Sequence, residues 1–97
     1  MVRLYTLYRA TKHPISSHQL NQELRLRGFT FTVRSVGAIL RGLEKRGYVA
    51  SRLTGDEEPP RKVYLATVTG RQAIKPARRR LRAFFDLSDN HRNRDQV

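Results

Sequence analysis

Ninety-seven residues carrying Lys+Arg 20 against Asp+Glu 8, a formal charge of +12 at pH 7 and no cysteine, read as one small basic domain. The missing cysteine excludes disulfides, thiolate metal sites and cysteine nucleophiles together, and fits a reducing compartment. No apolar run approaches the roughly 18 residues of a membrane span, and the opening MVRLYTLYRATKHP lacks a secretory apolar core, so the expectation is a cytoplasmic, nucleoid-associated protein without membrane contact.

Residues 2–11 place Leu4, Leu7 and Tyr8 on one helical face, with Arg3 and Arg9 elsewhere, and Pro14 closes that helix. A second helix starts in ISSHQL. Ser16 stands three residues before Gln19, the spacing of a capping box, with Ile15 and Leu20 placed as a hydrophobic staple. Leu20 and Leu24 form its buried edge, and Arg25 to Gly28 supply a cationic last turn and a glycine stop. Thr32 caps a third helix, 32–46, in which Val33, Val36, Ile39, Leu40 and Leu43 fall within about 120° of arc. Arg34, Ala38, Arg41 and Lys45 occupy the opposite sector, flanked by Ser35 and Gly37, with no carboxylate at its centre.

After Gly47 the period changes to two. YVASRLT and KVYLATV are rich in β-branched and aromatic residues and enclose GDEEPPR, which reads as a hairpin with a long loop. Three of the acids, Asp56, Glu57 and Glu58, crowd into that tip, while Arg52, Arg61 and Lys62 sit on the stems. Thr67 caps a fourth helix with apolar positions Ile74, Ala77, Leu81, Phe84 and Phe85, and Pro76 inside it is expected to kink or break it. SDNHRNRDQV is polar and aperiodic and reads as a disordered tail. The fold class is therefore mainly α with a small β-hairpin: a winged helix-turn-helix of three helices, a two- to three-stranded wing and a C-terminal helix. The divisions are 1–67 for the DNA-binding domain, 68–87 for a dimerisation helix packed on it, and 88–97 for the tail.

ILRGLEKRGYVASRL, followed after a gap by PPRKVYLATVTGRQAI, resembles the PadR family of winged-helix transcriptional regulators. The carrying features are the leucine pair and glutamate before Gly47, PRKVY at the end of the wing, and Thr67, Gly70 and Arg71 as T-x-x-G-R. Gly37 and Ala38 stand where the family often has an aromatic and a proline, and SSHQL replaces its usual glycine and tyrosine before the leucine. The short arginine-rich C-terminal segment is like that of small members with one terminal helix. The resemblance implies a DNA-binding regulator without a ligand pocket built by a large C-terminal domain.

The bland account of Arg34, Arg41 and Lys45 is a solvated face. Against it stand the lack of balancing Glu and the small residues beside them. Within a helix-turn-helix frame the third helix enters the major groove, with Arg34 and Arg41 suited to guanine edges, Ser35 to an edge or phosphate, and the Ala38 methyl to thymine. Lys45, Arg52, Arg61 and Lys62 are assigned to phosphates. The acidic tip either holds the loop through neighbouring arginines or repels DNA from a deep wing insertion.

On the fourth helix, Ile74, Ala77, Leu81, Phe84 and Phe85 are assigned to a homodimer seam rather than to the chain's own core. Arg71, Lys75, Arg78, Arg79 and Arg82 beside them form a second possible phosphate surface. His13, His18 and His91 lack ligand spacing, and no nucleophile elbow, phosphate loop or carboxylate pair appears, so no metal, cofactor or catalytic residue is expected. The expected partner is double-stranded DNA, with no obvious small-molecule ligand. The leading function is a homodimeric, sequence-specific regulator acting as a repressor. The alternatives are an architectural DNA binder, an RNA-binding winged helix, and a module docking an acidic protein.

Overall fold

The computed structural model describes residues 1–55 and 59–85. Three helices come first: α1 (Val2–Lys12), α2 (Ser17–Leu26) and α3 (Val33–Lys45). Strands β1 (Val49–Leu53) and β2 (Lys62–Ala66) then pair antiparallel, and α4 (Val68–Ile74), a 3-10 turn (Lys75–Ala77) and α5 (Arg78–Phe85) close the chain.

The caps arise where the sequence sets them. Ser16 Oγ accepts from the Gln19 backbone N–H at 3.2 Å, and the Gln19 side chain accepts from Ser16 N–H at 3.0 Å, completing the box. Thr32 caps α3 through the Ser35 N–H, and Thr67 caps α4 through the Gly70 N–H. The chain leaves α2 and α3 through Gly28 at φ 95 and Gly47 at φ 83, where a side chain would strain the backbone.

The core lies where α1, α2, α3 and α4–α5 converge on the inner face of the hairpin. Leu20, Leu24, Val36, Leu40, Ile74 and Leu81 are fully buried in it. On α1 the burial is wider than the predicted face, since Tyr5, Thr6 and Ala10 join Leu7 and Tyr8 while Leu4 stays half-buried. The reason is that α1 is covered on more than one side, by α3, β2, α4 and α5.

The third strand is a single bridge. Ile15 and Tyr64 exchange backbone hydrogen bonds of 3.0 and 2.9 Å, which fastens the α1–α2 connection to β2. Pro76 divides the fourth helix at the 3-10 turn, as expected of a residue that lacks an N–H to donate. The junction residues keep helical dihedrals, φ −55 and ψ −49 at Lys75 and φ −61 and ψ −40 at Arg78. The run from α4 to α5 therefore continues through it.

Two contacts explain the T-x-x-G-R segment. A methyl group on Gly70 would lie 2.0 Å from the Tyr48 carbonyl oxygen, so α4 sits on the start of the hairpin only because that position is glycine. Arg71 Nη1 donates at 3.1 Å to the carbonyl of Thr11 in the last turn of α1.

Phe85 is inserted at the other end of this run. Its ring lies 4.7 Å from that of Tyr5 and 5.9 Å from that of Phe29. Arg27 donates to the Phe85 carbonyl at 2.7 Å while its guanidinium lies over the Tyr5 and Phe85 rings, at 5.0 and 5.7 Å.

The assignment of the fourth-helix stripe to a dimer seam is thus met by a different arrangement. Ile74, Ala77, Leu81 and Phe85 are buried in the chain's own core, and Phe84 alone of the five is exposed, at 60%. Asp56, Glu57 and Glu58, the tail 88–97 and the last residues of the segment 68–87 lie outside the described residues.

Candidate nucleic-acid interface

The apolar stripe of α3 faces the core through Val36, Leu40 and Leu43, and this orients the rest of the helix. Arg34, Ser35, Ala38, Arg41 and Lys45 are all exposed on its outer side, as are Arg52, Arg61 and Lys62 on the hairpin. Sequence periodicity located this surface. Its finer arrangement comes from packing.

An open groove of about 770 Å³ runs between α3, the start of α2 and the wing. Arg34 and Arg41 line one wall, Arg61 and Lys62 the other with Pro59 and Pro60, and Ser16, Ser17 and His18 close the end. Four cations converge there, and among the described residues no carboxylate lines it. The two carboxylates among the described residues are engaged elsewhere. Glu23 takes Arg9 Nε at 2.8 Å and the Tyr5 hydroxyl at 3.2 Å, and Glu44 takes the Ser51 hydroxyl at 2.6 Å. The groove is therefore a concentrated positive field next to a helix start, an arrangement that favours a polyanion with phosphate oxygens.

Individual placements follow from the local chain. Gly37 is buried because Arg41 folds back along the helix: a methyl group at Gly37 would stand 3.0 Å from Arg41 Nη1 and 3.5 Å from Ser17 Oγ. The glycine thus makes room for the guanidinium at the crossing of α2 and α3. Ser35 Oγ accepts from the Thr32 hydroxyl at 3.0 Å, which leaves its own proton to donate outward.

Ala38 lies on the crest of α3 and borders a second cavity of about 400 Å³ on the other flank, shared with Leu4, Leu7 and Ile39. Lys45 stands in the last turn of α3 and does not line the groove.

Strand register separates the three hairpin cations. Arg52 pairs with Val63 and Leu53 with Lys62, so Arg52 shares its face with Val63 and Leu65, while Lys62 lies on the face of Tyr64. The Lys62 ammonium sits 5.6 Å over the Tyr64 ring. Lys62 and Arg61 reach the groove and Arg52 does not.

Sequence reasoning missed Ser17 and His18. Their signal was present in the capping box, because a capped second helix in a helix-turn-helix frame presents its first residues beside the recognition helix.

Comparison with known proteins places this architecture. Among curated proteins, none matches the sequence. A PadR-like regulator from Bacillus cereus superposes with a TM-score of 0.73 at 21% identity, over 99% of this chain and 92% of that one. The smu.1704 protein of Streptococcus mutans gives 0.74 at 20% identity, over 86% and 77%. PadR of Bacillus subtilis, solved in complex with operator DNA, gives 0.66 at 17% identity, over 75% of this chain and 44% of that one. These likenesses establish the winged-helix fold. In sequence, residues 6–76, which run from the first helix through the wing to Pro76, match the transcriptional regulator PadR-like family, and the chain belongs to that family.

Proposed function

We propose that the protein is a homodimeric, sequence-specific DNA-binding repressor that reads the major groove with α3 and grips the backbone with the wing stem. The observation that carries this reading is the convergence of Arg34 and Arg41 with Arg61 and Lys62 on one groove that no carboxylate lines among the described residues. Guanidinium groups on an exposed helix suit the O6 and N7 acceptors of guanine, and cations at the strand end suit phosphates. The operator complex of Bacillus subtilis PadR supports DNA as the partner class. Repression by occlusion needs only that the protein occupy the promoter.

The dimer reading rests on Phe84, a residue 60% exposed on a helix whose other large apolar side chains are spent on the core. Phe84→Ser should give monomers in sedimentation with the fold intact. A full-strength dimer would place the seam elsewhere.

Groove reading is tested by titrating single variants across duplexes that differ at one base pair. Arg34→Ala and Arg41→Ala should each cost about 1–3 kcal/mol, with the loss confined to particular positions. Lys62→Ala should weaken every sequence alike. Equal, sequence-blind losses for all three would reject base reading by α3 and leave an architectural or RNA-binding role.

A further inference from the structure

Six of the chain's cations lie in one run outside the groove. Arg71, Lys75, Arg78, Arg79, Arg80 and Arg82 are all exposed along α4, the 3-10 turn and α5, and none of them lines the groove between α3 and the wing. Four of the six fall in a row. Arg71 and Lys75 are one α-helical turn apart, the 3-10 turn sets Lys75 and Arg78 in line, and Arg82 follows one further turn on. The steps are about 6 Å each, so the row is about 18 Å long. Like charges at these spacings destabilise a helix, and neither of the described carboxylates is bonded to any of the six.

The row is separate from the groove. The groove takes the tip half of the hairpin at Pro59 to Lys62, whereas α4 starts from its base, where Thr67 donates to the Tyr48 carbonyl at 3.0 Å. From Lys62 to Ala66 the strand runs about 13 Å away from the groove before α4 begins. Arg71 then lies over the end of α1, and α5 continues along α1 to Tyr5.

We propose that this row is a second, sequence-blind site for the backbone of duplex DNA, so that a chain holding one duplex in its groove holds another segment on α4–α5. The inference rests on the DNA-binding reading of the groove. A strand advances about 3.4 Å per phosphate, so a length of about 18 Å along the duplex presents about five, and evenly spaced cations match such a line. An anionic membrane is disfavoured because Leu81 and Phe85 are buried in the core, which leaves Phe84 as the one large exposed apolar side chain of α5 to insert.

The test uses the full chain and the variant Lys75→Gln/Arg78→Gln/Arg82→Gln, whose folding is verified by circular dichroism, since glutamine is a good helix former. An immobilised random-sequence duplex is incubated with protein, and capture of a second, labelled duplex is measured. Both proteins are compared in the Phe84→Ser background, so that the two grooves of a dimer do not themselves bridge: the parent should bridge the two duplexes and the triple variant should not. The salt slope of the variant on random duplex should fall by about 0.9 per removed contact, close to three in all. Binding of one duplex through the groove should persist. Bridging retained by the triple variant overturns the proposal. So does a parent that binds one duplex but never two, or one that uses the row only on phosphatidylserine vesicles. A wild type that binds no duplex at all instead rejects the groove reading.

Discussion

Ser51 on β1 donates from its hydroxyl to Glu44 Oε2 on α3 at 2.6 Å, and this bond fixes the wing to that helix. It also turns the one carboxylate of α3 toward the hairpin. Glu44 is thereby kept out of the groove, whose two walls are held in register.

Ser51→Ala should therefore cost about 1.5 kcal/mol of stability, the low end for a hydrogen bond to a charged group. It should also weaken DNA binding uniformly across sequences, because the role proposed for the wing is to position and not to read. Denaturant unfolding and titrations against matched and random duplexes measure the two effects. A variant that changes sequence preference while leaving overall affinity intact would contradict this role.

Gly70 and Gly42 should respond in opposite directions to the same change. At Gly70 an added methyl would lie 2.0 Å from the Tyr48 carbonyl oxygen, a backbone atom that moves only with the hairpin. Gly70→Ala should destabilise by about 1–3 kcal/mol or more. At Gly42, within α3, nothing lies within 4 Å of the added methyl, and Gly42→Ala should stabilise by up to about 1 kcal/mol through helix propensity. Thermal melts of both variants decide it, with a shift of about 4–8 °C per kcal/mol expected for a domain of this size.

The contrast between these glycines shows what the sequence conveys. Ser16, Gln19, Thr32 and Thr67 announce helix starts through short-range chemistry, and the period of Val36, Leu40 and Leu43 orients α3, so the fold and the cationic crest were legible. The need for Gly70 was not, because it arises from Tyr48, twenty-two positions earlier, once α4 folds onto the hairpin. The burial of Phe85 was not legible for the same reason: its partners Tyr5, Arg27 and Phe29 are distant in sequence. Arg52 and Lys62 look equivalent on paper, and only the pairing of Arg52 with Val63 and Lys62 with Leu53 puts them on different faces.

Stability should decline at high pH through Tyr5. Burial raises its phenol above the ordinary 10.0, Glu23 adds to the rise, and Arg27 opposes it. Below the unfolded value both states carry the proton and this contribution is complete. As pH rises past about 10 the unfolded chain releases its proton first, so stability falls until the folded value is passed. Melting temperatures measured at increasing alkaline pH should drop for the wild type and drop less for Tyr5→Phe. Equal slopes would show that the Tyr5 phenol is not the group responsible.

The central claim is that α3 and the wing stem form one surface that reads a DNA sequence, and selection of bound duplexes from a random pool at physiological salt tests it most directly. A homodimer reading two grooves should enrich a single inverted repeat whose half-sites lie about 10–10.5 base pairs apart, or a multiple of that. Arg34→Ala/Arg41→Ala should lose that enrichment while still retaining duplex through its remaining cations. A pool that emerges without a common motif, or the same motif enriched by the double variant, would contradict the account.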